Sequence, residues 1–293
     1  MSRSSAPFRP VLAALAIACV GLPSVSAQLV EVSGQQKISA LQGNLGVGVG
    51  FEERFGWDIA SLGDLDGDGV GDIAVGAYRD DVPNLDAGSV RVLFLDVDGT
   101  VKSSTLIAEN TNGFTEDLEE LDWFGWGVEA IGDLNDDGVV DLAVGAPGDD
   151  DGGTDTGAVY VLFLDTDGTV KSHNKISAPL GLPLTDFNYF GCSIAALGDQ
   201  NGDGREDIMV GAFGDTGSGA GGIFRGACFS LTLSTSGLPT NLTEIGEGSG
   251  GFVGSFDDGD EFGWDITALG DLDGDGVGDV AVSALLDDDG GGD

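Results

Sequence analysis

A nine-residue pattern recurs four times in this chain, each copy placing oxygen-bearing side chains at alternate positions and a glycine at the sixth. The first copy is Asp64-Leu65-Asp66-Gly67-Asp68-Gly69-Val70-Gly71-Asp72. The others run from Asp133 to Asp141, Asp199 to Asp207 and Asp271 to Asp279. They begin at residues 64, 133, 199 and 271, and so lie 69, 66 and 72 positions apart. A near-fixed period of this kind marks an architecture of stacked units. The rest of the chain is what these loops connect.

Alternating oxygens with a glycine at the tight turn suit calcium, a hard cation that takes about six to eight oxygens at roughly 2.3–2.6 Å. The expected ligands are the side chains at positions 1, 3, 5 and 9 and the carbonyl at position 7. They are Asp64, Asp66, Asp68, Val70 and Asp72 in the first loop, and Asp133, Asn135, Asp137, Val139 and Asp141 in the second. The third offers Asp199, Asn201, Asp203, Arg205 and Asp207, and the fourth Asp271, Asp273, Asp275, Val277 and Asp279. Waters complete each shell, giving about four Ca2+ sites. An EF-hand would carry a bidentate glutamate at position 12. Val75, Val144, Val210 and Val282 stand there, inside apolar runs, so that reading is excluded. The competing reading is a solvated turn without metal, since Asp and Gly are ordinary turn residues. Against it, converging carboxylates repel by about 1 kcal/mol per pair at 4 Å even with water-like screening.

Composition narrows the classes further. The 293 residues carry a formal charge of −40, with 11 Lys plus Arg, which excludes a basic nucleic-acid footprint and favours divalent cations. An apolar content of 41% is enough for a core, and 52 glycines suit short strands joined by turns. Residues 1–27 read as a signal peptide. Arg3 and Arg9 precede the apolar run Val11 to Leu22, and Val25-Ser26-Ala27 is a small-residue cleavage pattern. The run is too short to span a membrane, which takes about 20 residues. Loss of Arg3 and Arg9 takes the charge from −40 to −42. The chain is therefore expected to be secreted or at the cell surface, with lipid anchoring at Cys19 as the alternative. Cys192 and Cys228 then remain, on strands expected to lie too far apart to bridge.

Residues 28–293 read as an all-β propeller of four-stranded antiparallel blades. In the first repeat the strands are Phe55 to Leu62, Asp72 to Ala77, Gly88 to Leu95 and Val101 to Ala108, with Asp98-Gly99 as a hairpin turn. Approximate blade bounds are 50–110, 120–178, 186–245 and 258–293. The segment 28–48 is an orphan outer strand, since Lys37-Ile38-Ser39 matches Lys175-Ile176-Ser177 at the end of the second repeat. No third strand follows Ala284. The expectation is an incomplete ring or fragment, poorly ordered after about Leu285, with open edges that permit self-association.

Phe-Gly, then the acidic loop, then Val-Gly-Ala-Pro resembles the FG-GAP repeat of the integrin alpha-chain N-terminal β-propeller. The second repeat carries it whole in Phe124-Gly125, Asp133 to Asp141 and Gly145-Ala146-Pro147. Tyr78 and Phe213 replace the proline in the first and third, and the fourth reads Ser283-Ala284-Leu285. With its signal segment the chain looks like a bacterial exported member. The resemblance implies a seven-bladed ring, and four repeats supply little over half of one.

Two functions follow. One is a calcium-braced adhesion or interaction module whose ligand is a protein or glycan at the cell surface. The alternative is an accessory propeller of an exported enzyme, as in phospholipases that carry FG-GAP repeats. Catalysis in this chain is not expected, because a lone histidine, His173, leaves little material for it. The face opposite the calcium loops carries the longer connections, and its aromatic candidates for ligand contact are Trp123, Phe187, Tyr189 and Phe256. Trp57, Trp126 and Trp264 share one blade position with Cys192 and are expected in the core. His173 is assigned no partner.

Overall fold

The computed structural model describes residues 15–17, 32, 34–50, 52–216, 223–274 and 277–288. Among the described residues there are sixteen strands: β1 (Leu15–Ile17), β2 (Gln36–Ile38), β3 (Ile59–Gly63), β4 (Asp72–Ala77), β5 (Ser89–Leu95), β6 (Val101–Ile107), β7 (Val128–Ala130), β8 (Leu142–Ala146), β9 (Ala158–Leu164), β10 (Val170–Ser177), β11 (Ile194–Gly198), β12 (Asp207–Ala212), β13 (Ala227–Leu233), β14 (Pro239–Ile245), β15 (Phe262–Gly270) and β16 (Asp279–Ala284). They form three four-stranded antiparallel meanders, β3-β4-β5-β6, β7-β8-β9-β10 and β11-β12-β13-β14. Two further pairs are β15-β16 and β1-β2. The protein is an all-β partial propeller.

Sequence pattern explains which strand lies where. The second strands, Asp-Ile-Ala-Val-Gly-Ala and its relatives, have no polar face, and β8 and β12 are buried along their whole length. The outermost strands β6 and β10 bury only their ends and present Lys102 and Ser103, or Lys171 and Ser172, to solvent. Side chains alternate across a strand, so each third strand packs against both neighbours. Val90, Val92 and Phe94 of β5 meet Tyr160, Leu162 and Leu164 of β9 in one core. Val159, Val161 and Phe163, on the other face of β9, meet Phe229, Leu231 and Leu233 of β13 in the next.

The sheets are keyed together at glycines. A Cβ on Gly76, Gly145 or Gly211 would run into the carbonyl oxygen of Gly125, Gly191 or Gly263 respectively, each in the following repeat. Gly88, Gly157 and Gly226 form parallel bridges to Phe124, Phe190 and Phe262 at φ of 93°, 84° and 87°. Gly145→Ala should therefore push two sheets apart. The expected loss is about 2–3 kcal/mol, the upper range for overpacking a tight contact. Urea unfolding checks it, and a midpoint equal to wild type would show that the contact gives way freely.

Two expectations change. The inner strand begins at Ile59 rather than Phe55, because Arg54 and Gly56 take positive φ (60° and 85°) and turn the chain into the sheet. The third strand of the third repeat, which the sequence suggests over Gly222 to Ser230, begins at Ala227, and residues 217–222 lie outside those described. The expected cleavage point at Ala27, Cys19 and the last residues, 289–293, also lie outside them.

The N-terminal segment has a defined place. Ser39 bridges Gln42, and the Gly43 carbonyl then accepts a 2.8 Å hydrogen bond from Val101 N. Thr111 bridges Phe114 and the Asn112 carbonyl accepts from Val170 N, also at 2.8 Å, one repeat later. Ile38 and Leu45 are buried against Val75, Leu93, Leu95 and Val101, covering the face of the first meander turned away from the second. Among the described residues β2 pairs with β1, inside the expected leader, and not with β16.

Candidate functional site

The acidic loops follow the innermost strand of each repeat, and their backbone is arranged by their own carboxylates. Gly69 N donates to Asp64 Oδ2 at 2.8 Å and Val70 N to Asp68 Oδ1 at 2.9 Å. The same bonds join Gly138 to Asp133 (2.7 Å) and Val139 to Asp137 (3.0 Å), then Gly204 to Asp199 (2.7 Å) and Arg205 to Asp203 (3.0 Å). Glycine is needed at position 6 because φ there is 90°, 86° and 87° in Gly69, Gly138 and Gly204.

Position 9 has a structural task that the sequence did not disclose. Asp72 Oδ2 accepts from Leu65 N and Oδ1 from Leu95 N, each at 3.0 Å, tying the loop to the end of β5. Asp141 does the same with Leu134 N (3.0 Å) and Leu164 N (3.3 Å), and Asp207 with Gln200 N and Leu233 N (both 2.9 Å). All three carboxylates are fully buried. Burial, opposed by these hydrogen bonds, pushes the Asp141 carboxyl up to about 7, with Asp137 and Asp133 adding to the rise. Asp72 and Asp207 are also raised, chiefly by burial.

The donor set fits a hard cation. One oxygen each from Asp64, Asp66 and Asp72 lies within 4.8 Å of the others, and the same holds for Asp271, Asp273 and Asp279. Asp275 lies outside the described residues. A cation already stands at the first loop, since Lys102 Nζ is 2.7 Å from Asp66 Oδ2 and also bonds Asp68. Its hydrogen bond holds the Asp68 carboxyl below the usual range. Arg205, the position-7 residue of the third loop, crosses to Asp136 Oδ2 of the second at 3.0 Å and links two repeats.

At the other end of the innermost strands the structure opens into a cavity of about 320 Å3 on the axis between the sheets. Trp57, Trp126 and Trp264 line it with Cys192, Asp58, Glu129 and Asp265. The Trp57 and Trp126 rings lie 5.1 Å apart and Trp126 and Trp264 6.2 Å apart. The expectation of core tryptophans is corrected here, as Trp57 is 43% exposed and the other two are half-buried. The residues at the start of the innermost strands line this open space, whereas Ala60 and Leu62 further along β3 are buried against the second sheet. Asp58 Oδ2 accepts from Val128 N at 2.7 Å, and burial followed by the nearby Asp265 raises its carboxyl.

Of the four aromatic candidates, two join this cluster. Trp123 lies 5.5 Å from Trp126, and Tyr189 stacks on Phe213 at 4.8 Å, which reaches Trp264 at 4.9 Å. Phe187 is 44% exposed. Phe256 instead stacks on Phe252 and Phe262 (4.9 and 4.6 Å), sealing the core beside the last sheet. Sequence reasoning missed Tyr78, 4.4 Å from Trp126, and Phe213. Both stand where the second repeat has proline, and that shared departure was the available signal. His173 does have partners, since its Nε2 lies 3.3 Å from Thr115 N and its ring 5.0 Å from Phe114. Cys192 and Cys228 are free and buried, and burial pushes the Cys192 thiol up to about 12.

A model described as the FG-GAP repeat matches residues 55–93 and 124–162. These are FG-GAP repeats. The FG glycine of one repeat and the GAP glycine of the one before are the two sides of each inter-sheet contact described above. The chain is 33% identical over 203 residues to integrin alpha-6 of Gallus gallus, covering 67% of this chain and 16% of that protein. It is 32% identical over 240 residues to integrin alpha-5 of Xenopus laevis, covering 80% and 20%. It is also 34% identical over 161 residues to phosphatidylinositol-glycan-specific phospholipase D of Bos taurus, covering 54% and 18%. This is an integrin-like FG-GAP propeller module, and its matches span a fifth or less of the length of those relatives. Among the described residues no helix is long and apolar enough to cross a membrane.

Proposed function

We propose that this chain is a calcium-braced extracellular binding module that engages its partner at the tryptophan-lined axial cavity. The observation that carries the reading is the meeting of tryptophans from three repeats around Asp58, Glu129 and Asp265, at the strand ends opposite the acidic loops. Aromatic faces and carboxylates together attract a cationic group, so the fitting partner is a protein that presents a basic side chain. Calcium supplies fixed positive charge at the other end. Positions 1, 3, 5 and 9 with the carbonyl of position 7 hold it, and position 9 passes the restraint to the third strand through its two backbone hydrogen bonds. The similarity to integrin alpha chains supports secretion or display at the cell surface, and residues 1–27 fit a leader. A second reading, an accessory propeller of an exported enzyme, is favoured by the phospholipase D relative.

Tryptophan fluorescence tests the binding reading. A peptide rich in lysine and arginine, titrated into the calcium-loaded chain, should change the emission saturably. Trp126→Ala should weaken that binding at least tenfold, and Asp58→Asn should weaken it less. No change in wild-type emission up to millimolar peptide would remove the axial site from the proposal.

A further inference from the structure

Two lysines occupy the same register on two outer strands, and each reaches an acidic loop. Lys102 is the second residue of β6 and Lys171 the second of β10. Val101 pairs with Leu95 and Val170 with Leu164, so the two positions are equivalent. Lys102 Nζ lies 2.7 Å from Asp66 Oδ2 and bonds Asp68 as well. Lys171 Nζ lies 3.0 Å from Asp137 Oδ2 and 3.8 Å from Asp165 Oδ1. Asp66, Asp68 and Asp137 stand at positions 3 and 5 of their loops, whose oxygens a divalent ion would need.

The third repeat lacks the device. There Pro239 pairs with Leu233, and Thr240 takes the lysine position. The guanidinium of Arg205 reaches Asp203 only at 4.0 Å and is committed to Asp136 at 3.0 Å.

We propose that Lys102 and Lys171 are tethered counter-ions that hold the first two loops folded without calcium and are displaced when calcium enters. The proposal rests on the calcium reading of the loops. An ammonium bonded to Asp66 and a dication bonded to the same carboxylate would stand a few ångströms apart with like charge, which disfavours joint occupancy. Calcium binding to loops one and two is therefore an exchange, and binding to loop three is a simple addition. The first loop, with four carboxylates, then binds less tightly than its charge alone would give. Its metal-free form is correspondingly protected from the mutual repulsion of those carboxylates.

The test is calorimetric titration of calcium into the chelator-stripped full chain, comparing wild type with Lys102→Met/Lys171→Met and with Lys102→Arg/Lys171→Arg. Methionine keeps the stem and removes the charge. The methionine pair should bind calcium about tenfold more tightly at two sites, with other sites unchanged, and should melt at a lower temperature in chelator. The arginine pair should remain near wild type. Equal affinity in the methionine pair and wild type would overturn the exchange while leaving the calcium loops intact. No calcium binding by wild type up to 10 mM would overturn the loop reading and this proposal with it. Should the methionine pair fail to fold without calcium, lysine side-chain NMR of the wild-type chain reads the same exchange. The Lys102 and Lys171 resonances should move to free-lysine positions as calcium is added, and unmoved resonances at saturation would overturn displacement.

Discussion

Calcium added to the chelator-stripped protein is expected to raise its melting temperature steeply between 0.1 and 10 mM, the largest effect anticipated here. Each loop should bind with a dissociation constant of about 10⁻⁴–10⁻³ M, the range of extracellular modules. At 10 mM calcium, mass action then gives about 1.4–2.7 kcal/mol per site. The four loops of the sequence together contribute on the order of 5–11 kcal/mol, comparable to the whole stability of an ordinary domain. The physical basis is the crowding of Asp64, Asp66 and Asp72, whose oxygens converge within 4.8 Å and repel each other without a cation. Differential scanning calorimetry with and without calcium checks the prediction. A melting curve unchanged at 10 mM calcium would contradict it. Because the loops sit on separate sheets, Asp137→Ala should remove one site only.

Asp141→Ala is expected to do more damage than Asp137→Ala. Asp137 is exposed at the loop surface and bonds Lys171, so its removal costs a proposed metal ligand and a solvent-screened ion pair. Asp141 is fully buried and accepts from Leu134 N and Leu164 N, at 3.0 and 3.3 Å. Truncation leaves two buried donors without a partner, at about 1–3 kcal/mol each. The expected cost is about 2–5 kcal/mol in the presence of chelator, where no metal contributes. The raised pKa of Asp141, about 7, runs the other way, because a buried charge is itself costly. Lowering the pH from 8 to 5 should therefore stabilise the chelated wild type through this group. Its folded pKa lies above its unfolded value, so its contribution is greatest at low pH and is lost as pH rises through 7. Urea unfolding in chelator decides the matter. Asp141→Ala equal in stability to Asp137→Ala would show that position 9 acts through metal alone.

Much of the architecture was legible because it repeats. Asp64, Asp133, Asp199 and Asp271 announce their period directly, and the apolar runs after the loops read as strands, which β8 and β12 bury along their whole length. The Asp98-Gly99 turn marked the hairpin between β5 and β6. These features are local: period, polarity and turn chemistry within a few residues of one another. Likewise the candidate ligands of each loop lie within nine residues, so spacing alone brought them together.

What tertiary structure decided lies in contacts between residues far apart in sequence, both between repeats and across a single sheet. The tryptophans of the Phe-Gly-Trp motif share a position, and shared position alone did not say whether that position faces a neighbouring sheet or the axis. The docking of Gly145 on Gly191, the reach of Arg205 to Asp136 and the posts of Lys102 and Lys171 join residues 34 to 69 positions apart, beyond any local period. Asp141 shows both sides in one residue. Its place as a ligand candidate follows from a nine-residue spacing. Its role as the buried tie to Leu164 follows only from the fold that carries β9 back beside the loop.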